Sequence, residues 1–278
     1  MINVTKTYLP SKEKYKAYVD KIFENGWITN NGPMVKELEL RLAEYLGVKN
    51  IVLVANGTVA LEIAYRVLGI KGYVITTPFS FVATTSSLVT NGLKPIFADI
   101  DSETLNIDPS NTEGLITQNT SAIVPAHIFG NICDVEKIDE IAQKNKLKVI
   151  YDAAHAFGVK YKGESVLNRG DISTLSFHAT KLFHTIEGGA LIINDDALVK
   201  KARYLINFGI KNQESIPELG TNAKMNEFEA AMGLCVLDEM KGILQERENI
   251  YARYKKELDG LVTFQEINPL ASPCYSYF

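Results

Sequence analysis

The stretch NGTVALEIA (56–64) combines residue types that could bind an anion. A glycine turn at Gly57 follows an apolar run and opens a helical pattern. The unpaired N–H groups and the dipole of a helix N-terminus favour negative charge, and the hydroxyl of Thr58 adds a donor. A tight turn with a threonine cap would leave the same pattern, so both interpretations stay open.

Two titratable residues lie close together in VIYDAAHAFG (149–158). Asp152 ends an apolar run, at the position where open α/β sheets place their ligands. A buried carboxylate there needs a partner, because leaving a charge unpaired is costly. A turn or a helix N-cap is the alternative for Asp152. For His155, three residues on, the alternative to catalysis is a hydrogen-bonded structural role.

Lys181 lies in an unusual setting, ISTLSFHATKLFHTIEGGALIIN (172–194). Lysines normally lie on the surface. This one lies between two apolar runs, in a segment rich in small polar residues that includes Ser176. The setting makes Lys181 a candidate for chemistry without deciding which reaction.

Short apolar runs alternate with helical patterns from about residue 51 to residue 200. Because the runs lack strict alternation, they are typical of strands covered on both faces. The predicted strands are 51–55, 73–77, 94–100, 121–129, 147–153, 172–177 and 190–194. The predicted helices are 33–46, between Pro33 and Gly47, then 134–144 with Asp134 as N-cap, and one from Asp195 or Asp196 to near Gly209. This order predicts an α/β domain with a mostly parallel sheet.

The pattern changes after Gly209. A polar loop leads to Asn226 and Glu229, which resemble a capping box that opens a long helix to Leu258. Gly233 and Gly242 are the points where that helix could break. The tail after Gly260 predicts one strand and no further helix, like the start of a second domain that was cut short.

The composition excludes several classes of protein. With 46% hydrophobic and 22% charged residues and a net charge of −4, the chain predicts a globular core and gives no support for nucleic-acid binding. Its three cysteines have no CxxC spacing, so neither a disulfide framework nor a zinc or other metal site is expected. No signal-type run opens the chain, and no apolar run reaches about 18 residues. We therefore expect a soluble, cytoplasmic protein without a membrane span.

Taken together and in order, seven stretches resemble the DegT/DnrJ/EryC1/StrS family of sugar aminotransferases, which depend on pyridoxal 5'-phosphate (PLP). They are WITNNGPMVKELE, ANGTVALEIA, TTPFSFVATTSSLVTNGLKPIFADID, VPAHIFGNICDVEKIDEIA, VIYDAAHAFGVKYKG, DISTLSFHATKLFHTIEGGALI and LGTNAKMNEFEAAMGL. The resemblance runs from about residue 2 to the end. It implies fold type I of the PLP-dependent transferases (aspartate aminotransferase-like), with helices on both faces of the sheet and a truncated small C-terminal domain.

The same resemblance implies two domains. Residues 1–235 would form the large PLP-binding domain, with roughly the first 25 residues partly packing against the small domain. Residues 236–278 would form the long helix and the start of the small domain. Family members usually continue further, so the chain is expected to be truncated or a fragment.

The resemblance also implies roles in the site. Lys181 would carry PLP as a Schiff base and act as general base. Asp152 would keep the pyridine nitrogen protonated, so that the ring acts as an electron sink. His155 would contact the ring face or O3′. The remaining expected cofactor contacts are Phe81 on the ring, Gly57, Thr58 and Ser176 on the phosphate, and Asn222, which would reach the phosphate from the other subunit of a homodimer.

The implied reaction moves an amino group from L-glutamate to a keto carbon of a nucleotide-linked deoxysugar, for cell-surface polysaccharide or O-antigen synthesis. The stretches TNNGP, TKLFHTIEGG and NAKMNE are most similar to the branch that aminates dTDP-4-keto-6-deoxyglucose at C4. Lys224 departs from the arginine of many members, so a contact copied onto it is in doubt.

Three other functions compete with this one. A sugar dehydratase would replace Lys181 with histidine, and an oxidoreductase or epimerase would need a GxGxxG fingerprint that the sequence lacks. A catalytically idle truncated paralogue with a binding or regulatory role stays open.

Overall fold

The computed structural model describes residues 5–278, and an α/β unit dominates it. Its helices are α1 (Lys12–Asn25), α2 (Pro33–Leu46), α3 (Gly57–Leu68), α4 (Val82–Thr90), α5 (Pro109–Glu113), α6 (Val135–Asn145), α7 (Asp196–Leu205) and α8 (Glu227–Glu257). Its strands are β1 (Ile51–Val54), β2 (Tyr73–Thr76), β3 (Lys94–Phe97), β4 (Thr120–Ile123), β5 (Lys148–Asp152), β6 (Lys160–Tyr161), β7 (Glu164–Ser165), β8 (Ile172–Ser176) and β9 (Gly189–Ile193). Short 3₁₀ turns span Ile128–Gly130 and Val166–Asn168.

Seven strands form one sheet in the order β1-β9-β8-β5-β4-β2-β3. These are the seven strands that the sequence predicts. Strand β9 pairs antiparallel with both of its neighbours, and the other pairs are parallel. Six strands therefore end at the same edge of the sheet, and β9 alone starts there. Strands β6 and β7 form a separate two-stranded hairpin that the sequence did not predict.

Alternate residues of each strand face opposite helical layers, as the period of a strand requires. Val52 and Val54 of β1 pack in the layer of α3, α4 and α7. Ile51 and Leu53 pack in the layer of α2, α6 and α8, which Ile22 of α1 joins. The expected mostly parallel sheet with helices on both faces is confirmed.

The predicted helix ends are largely confirmed. Asp134 caps α6, and Asn226 with Glu229 forms the capping box of α8. Helix α8 is continuous through Gly233 and Gly242, so it does not break where it could have. Helix α7 ends at Leu205, before the expected Gly209.

Glu227 joins two helices at their N-termini. Gly32 gives α2 no side-chain cap. Instead the buried carboxylate of Glu227 accepts hydrogen bonds from the backbone N–H groups of Met34 (2.8 Å) and Val35 (3.2 Å). The first residue of α8 therefore satisfies the N–H groups that α2 leaves open.

The strand predicted in the tail is wrong. The tail after Gly260 holds no strand, because it pairs with β6 at a single antiparallel bridge between Ala271 and Tyr161 and its backbone bond at Glu266 goes to a separate segment. Glu266 donates its N–H to Glu103, Ser272 donates to Lys160, and Lys162 donates to Leu270. The tail thus lies along the surface near the ends of the strands.

Helix α8 spans the predicted boundary between residues 235 and 236, and the division into two domains stays a prediction. Among residues 5–278, no helix is both apolar enough and long enough to cross a membrane.

Candidate active site

A cavity of about 650 Å³ lies where the strands end. Segments that follow β1, β2, β4, β5 and β8 line it, together with Tyr277 from the tail. Parallel strands bring their carboxyl ends to one edge of a sheet, which is where such folds bind ligands. The predicted site residues in this lining are Gly57, Thr58, Phe81, Asp152, His155, Ser176 and Lys181.

One corner of the cavity gathers backbone N–H and hydroxyl donors. The side chain of Asn56 accepts the N–H of Val59 at 2.8 Å, which leaves the N–H groups of Gly57 and Thr58 at the open end of α3. Gly57 approaches β8 so closely that a Cβ on it would lie 2.7 Å from the Cβ of Ser176. Only glycine fits here, and it brings backbone donors and the Ser176 hydroxyl to one place.

The Asp152 carboxylate is held at the end of β5. Thr84, in the first turn of α4, donates a hydrogen bond to one oxygen at 2.7 Å, and the N–H of Ala154 donates to the other at 3.2 Å. Burial raises the pKa of Asp152, while these two bonds and the nearby charge of Lys181 lower it in part. A carboxylate so placed stabilises a cationic group in the cavity. Thr84 was not among the predicted site residues, and its only signal in the sequence was its place three residues after Phe81.

His155 is neutral. Burial lowers its pKa to about 3, and the positive charge of Lys181 acts in the same direction. Its Nδ1 accepts the backbone N–H of Phe129 at 3.3 Å, so the ring proton lies on Nε2. The rings of Phe129 and His155 are parallel, with centroids 6.2 Å apart. Phe129 holds a left-handed φ of 56°, an uncommon conformation that recurs at functional sites.

Lys181 lies in the connection from β8 to β9 and reaches Tyr277. Its Nζ donates to the Tyr277 hydroxyl at 3.3 Å. The ring of Tyr277 also lies 4.5 Å from that of His155, centroid to centroid. No local pattern in the sequence indicates Tyr277, because nothing in the tail shows where it folds back.

Two predicted residues differ from the others in position. Phe81 is 72% exposed and stands at the rim of the cavity. Asn222 lies outside the cavity lining of its own chain, is exposed, and accepts a hydrogen bond from Lys224 Nζ at 2.7 Å. Its predicted role toward a second subunit stays a prediction.

The sheet order and the placing of a lysine, a carboxylate and a helix N-terminus at its carboxyl edge define an α/β protein of transferase fold type I. The model of the DegT/DnrJ/EryC1/StrS aminotransferase family matches residues 10–275, and the chain belongs to that family. The expectation from the seven motifs is thereby confirmed.

Individual relatives agree with this membership. A dTDP-4-amino-4,6-dideoxy-D-glucose transaminase of Shigella dysenteriae is 50% identical over 100% of this chain and 76% of its own length. The crystal structure of DesI in the presence of its TDP-sugar product has a TM-score of 0.89 and 35% identity, over 92% of this chain and 66% of that one. DesV of S. venezuelae, solved in complex with a ketimine intermediate, has a TM-score of 0.87 and 26% identity, over 94% of this chain and 72% of that one.

Proposed function

We propose that this chain is a PLP-dependent aminotransferase that moves the amino group of L-glutamate to a keto carbon of a nucleotide-linked keto-deoxysugar. The observation that carries the proposal is the convergence of Lys181, Asp152 and the N-terminus of α3 on one cavity. Membership of an aminotransferase family supports it.

The residues present fit PLP. The anion corner at Gly57, Thr58 and Ser176 offers donors to a phosphate, in a space that a side chain at residue 57 would fill. Asp152 offers a carboxylate to a protonated ring nitrogen, and Lys181 offers the amine that would anchor the aldehyde. When bound, PLP supplies an electron sink for the charge left when a proton leaves carbon.

The side chains then have distinct tasks. Lys181 Nζ, once free, takes the proton from Cα of the amino donor. Asp152, held by Thr84 and Ala154, keeps a proton on the ring nitrogen. Neutral His155 presents Nε2–H as a donor, and Phe81 covers the cavity mouth with an apolar face.

The substrate proposal follows the relatives. One relative is named for the transamination of dTDP-4-amino-4,6-dideoxy-D-glucose, and another was solved with a TDP-sugar product. We infer that the acceptor is dTDP-4-keto-6-deoxyglucose, aminated at C4.

We further propose a homodimer in which Asn222 of one subunit completes the cavity of the other. Exposed apolar side chains lie near Asn222 along the chain, among them Phe208 (51%), Ile216 (68%) and Leu219 (88%). Several exposed apolar side chains in one stretch of chain fit an interface. The free thiols of Cys133, Cys235 and Cys274 fit a reducing compartment, so we expect the enzyme to act in the cytoplasm.

The test begins with an absorbance spectrum of the purified chain after PLP is added. L-glutamate is then added, followed by dTDP-, UDP- and GDP-linked keto-sugars, with products identified by mass and NMR. We expect the PLP band to shift with glutamate and an aminated dTDP-sugar to form, and Lys181→Ala to do neither. PLP binding without any response to glutamate would contradict catalysis and favour an idle paralogue.

A further inference from the structure

Tyr277, in the tail of the chain, lines the cavity next to Lys181. Its hydroxyl lies 3.3 Å from Lys181 Nζ, and its ring centroid lies 5.7 Å from the same atom. Its ring also contacts His155 and stands 5.9 Å from that of Phe129. One side chain therefore touches the lysine and packs against the neutral histidine.

The tail that carries Tyr277 is anchored on both sides. Arg247 of α8 donates from one nitrogen to the carbonyls of Tyr275 (3.2 Å) and Ser276 (3.0 Å). Ser276 donates its hydroxyl to the carbonyl of His155 at 3.0 Å. These hydrogen bonds fix the backbone immediately before Tyr277. They thereby limit where its ring can lie.

The hydroxyl of Tyr277 is a suitable neighbour for an amine that must react. A carboxylate at that place would stabilise the ammonium form, whereas a phenol accepts an N–H without adding charge. The acidic side chains that line the cavity are engaged elsewhere, Asp152 with Thr84 and Glu187 with His178 at 3.5 Å. Tyr277 can therefore orient the amine without placing a negative charge beside it.

We propose that Tyr277 is a positioning residue for Lys181, and this inference rests on the proposed aminotransferase function. With Nζ of Lys181 free, the Tyr277 oxygen would accept one of its N–H groups, and the nitrogen lone pair would point into the cavity. Lys181 can then act as the base from one fixed position, and it does not have to search among its many rotamers.

The test compares Tyr277→Phe with the matched control Tyr275→Phe. The first change removes only the oxygen next to Lys181 and keeps the ring against His155. The control removes a hydroxyl from the same tail, one that donates to Glu248 at 2.9 Å and does not line the cavity. A hydrogen bond to a charged or reacting group is worth about tenfold to a hundredfold in rate.

Two measurements read out the effect. In a single turnover with L-glutamate, Tyr277→Phe is expected to slow the shift of the PLP band by about tenfold to a hundredfold, with PLP affinity changed by less than about threefold. In the cofactor-free protein, an amine-reactive reagent followed by peptide mass spectrometry is expected to label Lys181 several times more slowly in Tyr277→Phe, because the lone pair is no longer held toward the cavity. Tyr275→Phe should match the wild type in both.

The outcomes separate this inference from the proposed function. A wild-type chain that neither binds PLP nor responds to glutamate overturns the function itself. If the wild type reacts and Tyr277→Phe behaves like Tyr275→Phe in the turnover and in the labelling, the positioning role is wrong. Because the labelling uses cofactor-free protein, it tests the positioning role even if Tyr277→Phe no longer binds PLP.

Discussion

Substituting Gly57 with alanine tests the anion corner directly. The added Cβ would lie 2.7 Å from the Cβ and 3.1 Å from the Cα of Ser176. Carbon atoms in ordinary contact stay about 3.5–4.0 Å apart, so the two segments must separate by about 1 Å. Because the obstructing atoms belong to β8 and its backbone, no flexible side chain can move aside.

The size of the effect on PLP binding follows from the N–H donors that this shift moves. Overpacking of this kind costs about 1–3 kcal/mol of stability. A hydrogen bond to a charged phosphate contributes about 1.5–3 kcal/mol, so losing the alignment of one N–H weakens PLP binding by about tenfold to 150-fold. Gly57→Ala should therefore lower both the unfolding free energy and the affinity for PLP.

The assay is a PLP titration followed by absorbance, with denaturant unfolding in parallel. Gly242→Ala is the matched control, since a Cβ there meets nothing within 4 Å. That control should bind PLP like the wild type and gain about 1 kcal/mol from helix propensity. A Gly57→Ala chain that binds PLP within about threefold of wild type would refute a phosphate site at this corner.

The remaining predictions concern stability and assembly. Glu227→Ala should cost about 2–4 kcal/mol in denaturant unfolding, and Glu227→Gln clearly less, because Gln keeps an acceptor for Met34 or Val35; equal losses would exclude the capping role. Burial lowers the pKa of His127 to about 3. Between about pH 3 and about pH 6.5 the imidazole is therefore protonated in the unfolded chain and neutral in the folded one. The free energy of unfolding should fall as the pH drops through this window. His127→Asn, which keeps an acceptor for the Cys133 N–H, should flatten unfolding free energy against pH there by up to about 1.4 kcal/mol per pH unit; an unchanged slope would contradict a neutral buried imidazole. Refolding Lys181→Ala together with Asn222→Ala should restore up to about a quarter of wild-type activity, since half the dimers would hold one intact site; no recovery would argue against a shared site.

Much of the fold was predictable because its signals are local. The apolar runs identified all seven strands of the main sheet, since strands covered on both faces are mostly apolar. The edge strand β3 is only partly buried, yet its run was still found. The capping box at Asn226 and Glu229 and the proline start of α2 also lie within one helical turn. The site residues on strand ends were found for the same reason, as Asp152 and Ser176 each close an apolar run.

The features that could not be predicted from the sequence depend on contacts between distant segments. No local pattern encodes the direction of a strand, so the reversal of β9 was not foreseen. Thr84 reaches Asp152 only after α4 packs beside β5. Tyr277 reaches Lys181 only after Arg247 holds the tail. The predicted tail strand does not form, because the tail pairs with β6 at one bridge only.

The reversed strand β9 has a consequence for how the protein acquires its lysine site. Because β8 and β9 are adjacent in the chain and paired side by side, the connection that holds Lys181 closes a short loop. Short loops cost little chain entropy, so this hairpin can form early in folding. Asp152 instead depends on parallel pairing of β5 with β8 across the β6–β7 hairpin segment. During refolding, amide protons of β8 and β9 should thus be protected before those that join β5 to β8.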